Sequence, residues 1–316
     1  MPEKERADLD RSVTVVIASF NGEGTLAGVV SAALNSPVVA RVLVVDNNST
    51  DASRSLAQSL GAEVLALDQN RGYGAACNEG LARASTPWLA FCNQDIDPVG
   101  DLFGELVGTA SKLQSARGVD VIVAPRLESP DHVLTETAHR LPSWRGQIVE
   151  LLLGSEAARA RNAADTAARE PVRCDWVSAA CILGSTEALR ELGGFDATYF
   201  MYVEDVDLFE RWQKSGRLAF WTPAAHAIHR GGRRPVSAQL HAVALTNWVR
   251  YFARTSGPPA ALAISIAGIV GSLVRAIAWS TYFRRDPHAK AYRTMFLRGS
   301  IQAIQLQVRL LRDSRA

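Results

Sequence analysis

Between residues 13 and 192 the chain alternates short apolar runs with segments whose apolar positions recur at helical spacing. Residues 13–20 (VTVVIASF) are β-branched and almost wholly apolar, the pattern of a strand covered on both faces. A helix is predicted from about Thr25 to Asn35, ending before Pro37. Residues 40–46 (ARVLVVD) read as the next strand, and Ser49 or Thr50 is placed to cap a helix running to Gly61. A third run at 62–68, a glycine-broken loop, a helix from about Ala75 to Ala84 and a strand at 87–95 continue the alternation, and 120–125 (DVIVAP) supplies a further strand. The pattern lapses between about Leu127 and Pro171, where the Ala/Arg-rich stretch 154–170 reads as a surface helix or a mobile excursion. It resumes with 172–184, a helix to about Leu192 and a GGFD turn at 193–196. From about Thr246 the pattern becomes long helices.

Strand–helix–strand repetition implies right-handed crossovers. The predicted fold is α/β, a mostly parallel, doubly wound sheet with flanking helices and a C-terminal helical extension. In such sheets ligands bind beyond the carboxyl ends of the strands. Those ends are Ser19 to Asn21, Asp46 to Asn48, Asp68 to Gly72 and Asn93 to Asp97, nearly all polar and with several acids.

Composition narrows the class without naming a function. The 316 residues are 47% hydrophobic and 21% charged with a formal net charge of +2, which excludes wholesale disorder and argues against a general nucleic-acid binder. The cysteines, Cys77, Cys92, Cys174 and Cys181, lack CxxC spacing and read as buried free thiols in a reducing compartment. Residues 1–12 are charged, with no apolar core of a signal peptide, and read as a frayed tail.

Three places carry candidate chemistry. In FCNQDIDP (91–98), Asp95 and Asp97 stand one residue apart and would repel by roughly 4 kcal/mol at 4 Å unless water screens them or a cation joins them. In FMYVEDVDLFERWQKSG (200–216), Glu204 and Asp205 sit at a predicted helix N-terminus behind aromatic residues, which can desolvate a carboxylate and raise its pKa toward that of a general base. Asp207 reads more simply as a helix cap. In HAIHRGGRR (226–234), an extended backbone turns His226 and His229 to opposite faces, so one of them at most faces the acids, and Gly231–Gly232 lets backbone approach a bound group. Carboxylates with one imidazole suit Mn²⁺ or Mg²⁺ better than zinc. A competing dinucleotide reading rests on GEGTLA (22–27) with Asp46 beyond it. It is weakened by the residues SFN between strand and glycine and by its silence on the later acids.

The segments VVIASFN, VLVVDNNSTD, NRGYGAACNEG, FCNQD, GGFDATYFMYVEDVDLFER and HRGG follow one another as in family 2 glycosyltransferases, over about residues 13–235, and resemble most the rhamnosyltransferase branch that decorates lipid-linked cell-envelope intermediates. The resemblance implies a GT-A fold at 13–245, with a nucleotide-sugar half at about 13–126 and an acceptor half at about 172–235, and inverting transfer from a nucleoside-diphosphate sugar. Ser19, Asn21, Asp46 and Asn48 would hold base and ribose, and Asn70, Arg71, Gly72 and Gly74 would form the loop beneath the nucleotide. Asn93, Gln94 and Asp95 occupy the DxD metal motif with its first acid replaced, so that Asp97 is a candidate helper and His229 completes the site for Mn²⁺ or Mg²⁺. Asp205 would be the catalytic base, oriented by Glu204, with Arg230 and Trp176 near diphosphate and acceptor. The donor favoured is dTDP-rhamnose and the acceptor a polyprenyl-diphosphate-linked glycan. A catalytically silent sugar-nucleotide or glycan-binding subunit is the alternative from another class.

The region 246–316 adds an uncharged stretch at 259–274, shorter than the roughly 20 residues that span a bilayer, followed by aromatic residues and a basic excess. That composition suits an anionic membrane surface, hence a cytoplasmic protein bound peripherally at the inner face of the plasma membrane. The other reading is a helix pair that packs on the catalytic domain or makes a homodimer.

Overall fold

The computed structural model describes residues 11–134, 138–154, 168–231 and 237–313, with side chains to 307. Gly232, most of the Ala/Arg-rich stretch and most of the N-terminal tail lie outside the described residues. The chain forms two compact units, one comprising residues 1–141, 163–200 and 204–232, the other 142–162, 201–203 and 233–316.

The first unit follows the apolar pattern. Strand β1 (Val13–Ser19) leads to α1 (Leu26–Asn35), β2 (Val39–Asp46), α2 (Ser53–Ser59), β3 (Glu63–Ala66), α3 (Tyr73–Arg83) and β4 (Trp88–Asn93). Then come β5 (Ile96–Val99), α4 (Leu102–Arg117), β6 (Val121–Glu128) and β7 (Ala138–His139). The second unit's first helix, α5 (Trp144–Leu153), intervenes before β8 (Val172–Cys174), β9 (Trp176–Val177), β10 (Cys181–Ser185), α6 (Thr186–Glu191), α7 (Glu204–Lys214) and β11 (Leu218–His229). Nine strands make one sheet in the order β3-β2-β1-β4-β10-β6-β11-β5, with β8 beside β11. Strands β1 to β4, β6 and β11 run one way, and β10, inserted between β4 and β6, runs against both. The ends of β1, β2, β4 and β11 therefore share one rim.

Alternation along β1 explains the double covering. Val13, Val15 and Ile17 pack beneath α1, α2 and α4, whereas Val16 and Ala18 face α3, α6 and α7. Each fully buried aliphatic contributes about 1.5–3 kcal/mol. Two details differ from the sequence reading. Ser49 and Thr50 do not cap α2: the Ser49 amide donates to Asp46 and the Thr50 amide to Asn21 Oδ1, so both serve the rim. The stretch 96–99, unremarkable as a strand because of Asp97 and Pro98, is extended by antiparallel pairing with β11.

In the second unit α5 is joined by α8 (Ala238–Ser256), α9 (Pro258–Thr281) and α10 (Ala289–Asp313). The helices thus begin at Ala238, ahead of the residue 246 expected. Helix α9 also outruns its uncharged core, because Arg275 turns inward, donating to the Leu151 carbonyl (2.8 Å) and lying over the Phe296 ring (5.2 Å). Among the described residues α9 is the one helix long and apolar enough to cross a membrane. His241 bonds Ser272 (3.0 Å), and burial, followed by the Arg275 charge, pushes its pKa down to about 4. Asn247 donates to the carbonyls of Met201 and Tyr202, the latter and Val203 having φ of 65° and 73° immediately before Glu204 in the chain.

Gly80 of α3 lies directly on the Val16 side chain, so a Cβ there meets both its γ carbons. Alanine favours a helix by about 1 kcal/mol over glycine. The branched valine is fixed in its strand and cannot yield, and overpacking costs about 1–3 kcal/mol. Gly80→Ala is therefore expected to lower the melting temperature of the catalytic unit by a few degrees, measured by calorimetry; an unchanged or higher value would contradict this packing.

Candidate functional site

The rim is assembled by side chains that stitch one strand end to the next. Gln94 accepts from Ser19 Oγ (2.9 Å) and the Phe20 amide (2.8 Å) and donates to the Phe20 carbonyl (3.2 Å), locking the ends of β1 and β4 together. Asn21, at φ 50°, receives the Thr50 amide on its side chain and donates its own amide to Ser49 Oγ (2.9 Å). Asn47, which the sequence reading did not single out, is buried and accepts from the Arg71 amide (3.2 Å) while donating to the Gly72 carbonyl (3.1 Å). The loop from Asn70 is tightened by the Gly72 amide on Asn70 Oδ1 (3.0 Å). Gly72 has φ of 88° and lies on the Phe200 carbonyl, which leaves no room for a Cβ. Gly74 is further on, in the first turn of α3 against Phe195.

Asp46 is the focus of this half. It is wholly buried; Oδ2 accepts from Arg54 Nε (2.5 Å) and the Ser49 amide (3.0 Å), and Oδ1 has no partner among the described residues. An unsatisfied buried carboxylate oxygen costs free energy unless a ligand donates to it. Exposed Asn48 accepts from Arg54 (3.3 Å), and Phe20, also not singled out from sequence, exposes its ring between Ser19 and Asn21 in the chain.

At the far end of β4, His229 Nε2 stands 3.4 Å from Asp95 Oδ1 and 3.4 Å from Asn93 Nδ2. The Arg230 amide donates to the Asp95 carbonyl (2.9 Å), and a Cβ on Gly231 would lie 2.5 Å from His229 Nε2 and 2.9 Å from Asp95 Oδ2. Adjacent ligands of an octahedral divalent ion at about 2.1 Å lie about 3 Å apart, so this oxygen–nitrogen pair fits two of its positions, with substrate oxygens and water for the rest. Asp97 does not join them. The turn at 94–95 breaks the strand period, and Asp97 is bonded by Arg230 Nε and directed at Gly28 of α1. Among the described residues no three His, Cys, Asp or Glu side chains converge as a metal cluster. His226 faces away, 3.3 Å from Glu128.

The acid pair opens α7. Glu204 is buried with Oε2 unpartnered among the described residues. Half-buried Asp205 accepts from the Val206 amide (2.8 Å) and from the Ala179 backbone. Burial first, and the Asp205 charge second, holds Glu204 well above the usual carboxylate range. Burial also raises Asp205, against the pull of its backbone donors. Asp207 pairs with Arg211 Nε (2.7 Å), which in turn donates to the carbonyls of Leu192 and Gly194.

Residues 179–180 tie the two ends together. The Ala179 carbonyl accepts from Tyr73 Oη (2.5 Å), and the Ala180 carbonyl accepts from the Asn93 amide (2.8 Å). A short path of backbone bonds thus runs from Asp205 to the strand end that carries Asp95. The two basic candidates are both paired, Arg71 with Glu79 (2.9 Å) and Arg230 with Asp97. Trp176 donates its indole N–H to the Arg140 carbonyl (3.0 Å) and stacks on His139 with centroids 4.4 Å apart. All four cysteines are free and buried, Cys92 and Cys181 with sulfurs 3.6 Å apart beneath the rim.

Comparison with known proteins bears on the family and the fold. The family described as Glycosyl transferase family 2 matches residues 14–163. The N-acetylglucosaminyl-diphospho-decaprenol L-rhamnosyltransferase of Mycobacterium tuberculosis is 32% identical over 221 residues, 62% of this chain and 69% of that protein. The pre-mycofactocin glycosyltransferase of the same species is 28% identical over 261 residues, 80% of this chain and 48% of that protein. Among solved structures, the mannosyltransferase PcManGT of Pyrobaculum calidifontis with GDP-Man and Mn²⁺ superposes with a TM-score of 0.53 at 15% identity, covering 94% of this chain and 87% of that one. Glucosyl-3-phosphoglycerate synthase of M. tuberculosis with Mn²⁺, UDP and phosphoglyceric acid gives 0.53 at 18% identity, over 80% and 83%. These structures share the GT-A fold, and the sequence match carries the rest: the chain belongs to glycosyltransferase family 2.

Proposed function

We propose that the protein transfers a sugar, L-rhamnose from dTDP-rhamnose, to a hydroxyl of a polyprenyl-diphosphate-linked glycan, with inversion at the anomeric carbon. The observation that carries the reading is the raised carboxyl of Asp205, tied by Ala179 and Ala180 to the rim where Asp95 and His229 meet. A sugar hydroxyl is too weak an acid to attack unaided, and a carboxylate with a raised pKa, placed across the sugar from the leaving group, takes its proton as the new bond forms. Burial of Asp205 itself, against the pull of its backbone donors, keeps that carboxyl's affinity for a proton high.

Asp46 supports the donor half. Its unpartnered Oδ1 suits the N3–H shared by thymine and uracil, and the exposed Phe20 ring offers a face on which a base can lie. The similarity to an L-rhamnosyltransferase favours rhamnose as the sugar. A divalent ion, Mn²⁺ or Mg²⁺, held by Asp95 and His229 would neutralise charge on the departing diphosphate. A lipid-linked acceptor and a nucleotide sugar meet at the cytoplasmic face of the plasma membrane, which is where this reading places the protein.

Asp205→Asn is expected to lower kcat at least about 100-fold while leaving dTDP affinity within about twofold, measured by radiolabelled transfer and calorimetric titration. Activity equal to the parent would remove Asp205 as base. The acid pair also has a stability signature. A carboxyl raised in the folded state binds its proton more tightly there than in the unfolded chain, so its contribution is full at low pH and is lost as pH rises through the folded value. Glu204→Gln is therefore expected to match the parent's melting temperature near pH 4 and to exceed it by at least about 2 °C near pH 9; a variant less stable than the parent at high pH would contradict the burial of this charge.

A further inference from the structure

The helical unit is built inside out. The inward side of α9 is dominated by small residues, with Ala267, Gly268, Gly271, Ser272 and Ala276 all buried. Close approach follows: Gly268 lies on Leu245 of α8, and Gly271 lies on the Leu151 carbonyl of α5. The large aliphatics point outward. Leu262 is 63% exposed and Ile277 64%, with Ile266, Val270, Leu273 and Val274 exposed between them at helical spacing. A helix facing water has the opposite order. Small residues inside and large ones outside is the order of helices whose outer surroundings are hydrocarbon.

Helix α10 repeats the feature with Leu297, Ile301 and Ile304 exposed at intervals of four and three. Ser265 bonds Gln307 (2.6 Å) and Trp279 stacks on Tyr292 (4.3 Å), so α9 and α10 form an antiparallel hairpin carrying both stripes. At its turn Tyr282 is 88% exposed and Phe283 52%. Arg284, Arg285, Lys290, Arg293 and Arg298 are all exposed, and Asp286 is the only acid between residues 282 and 307.

We infer that the α9–α10 hairpin seats the protein on an anionic lipid bilayer, its aliphatic stripes in the acyl boundary and its arginines and lysine among the headgroups. Arg293 and Arg298 fall at the level of Leu273 and Ile277 in the hairpin register, and charges there do not enter hydrocarbon cheaply. The hairpin therefore lies in the interface, about 5–10 Å deep, and does not cross it. The positive excess selects an anionic partner over a second copy of this chain, whose matching face carries the same charge. This deepens the lipid-linked acceptor reading by naming the surface that delivers it, while its geometry stands on the helical unit alone.

Flotation of the full chain with vesicles of phosphatidylcholine, alone or mixed with phosphatidylglycerol, tests the inference. The protein is expected to float with the anionic vesicles and to be released by salt. Ile266→Asp/Val270→Asp and Arg284→Glu/Arg285→Glu, all at exposed positions, should each lower partitioning at least about tenfold with helical circular dichroism unchanged. Parent protein that ignores both vesicle types, or double variants that float like the parent, would overturn it. So would a concentration-dependent dimer in sedimentation velocity that Ile266→Asp/Val270→Asp dissolves, since a second copy would then own the face. Stabilisation by dTDP, read on the same samples, reports on the catalytic unit separately; its loss counts against sugar transfer and not against the membrane seat.

Discussion

A carboxylate that must take a proton from a sugar hydroxyl has to be shielded from water, and shielding it makes the protein that carries it less stable. The start of α7 holds two shielded carboxyls side by side, of which Asp205 is the proposed base. Glu204 is buried with one oxygen unpartnered among the described residues, and Asp205 is steadied by only a few backbone donors, including Val206 and Ala179. The surrounding structure serves that cost. Ala179 is fixed by the Tyr73 hydroxyl, Ala180 by the Asn93 amide, and Tyr73 itself begins the helix that follows the glycine loop. Asp205, the loop at 70–72 and the strand end bearing Asp95 are thereby linked by hydrogen bonds.

The sheet makes this economical. Inserting antiparallel β10 between β4 and β6 brings residues 179–180 to the rim where the parallel strands end, so a segment distant in sequence reaches Asn93 through a single backbone bond. Each remaining strand end contributes a loop whose amide and hydroxyl side chains bond the next loop, as Gln94 does for Ser19 and Asn47 for Gly72. Much of the polar character of this rim thus goes into construction. The groups left with spare capacity, Asp46 Oδ1, the Asp95–His229 pair and the acid pair, are the ones the proposed function uses.

The parallel strands were legible because burial on both faces leaves an unmistakable β-branched run, as at 13–20 and 40–46, and the acid pair was legible because it stands before an amphipathic helix. Three things were not. Strand β5 carries Asp97 and Pro98 and owes its conformation to pairing with β11, a tertiary cause that local propensity does not report. The same pairing sends Asp97 to Arg230 and away from Asp95, although their spacing suggested a shared cation. Ser49 and Thr50 looked like caps because cap residues and rim-stitching residues are chemically the same; the nearby Asp46 and Asn21 decided the matter. Asn47 left a weaker trace, since a buried asparagine between two polar neighbours has no periodic signature.

The inverted helical unit shows a comparable division, with small residues spent on close packing and large ones left for the surroundings. The central claim concerns the acid pair, and the pH dependence of kcat/KM with and without Glu204→Gln tests it most directly. The account predicts an acid limb whose apparent pKa lies clearly above the ordinary aspartate value of about 4 and stays there when Glu204 becomes an amide, because burial raises Asp205. A limb at or below that ordinary value would contradict it.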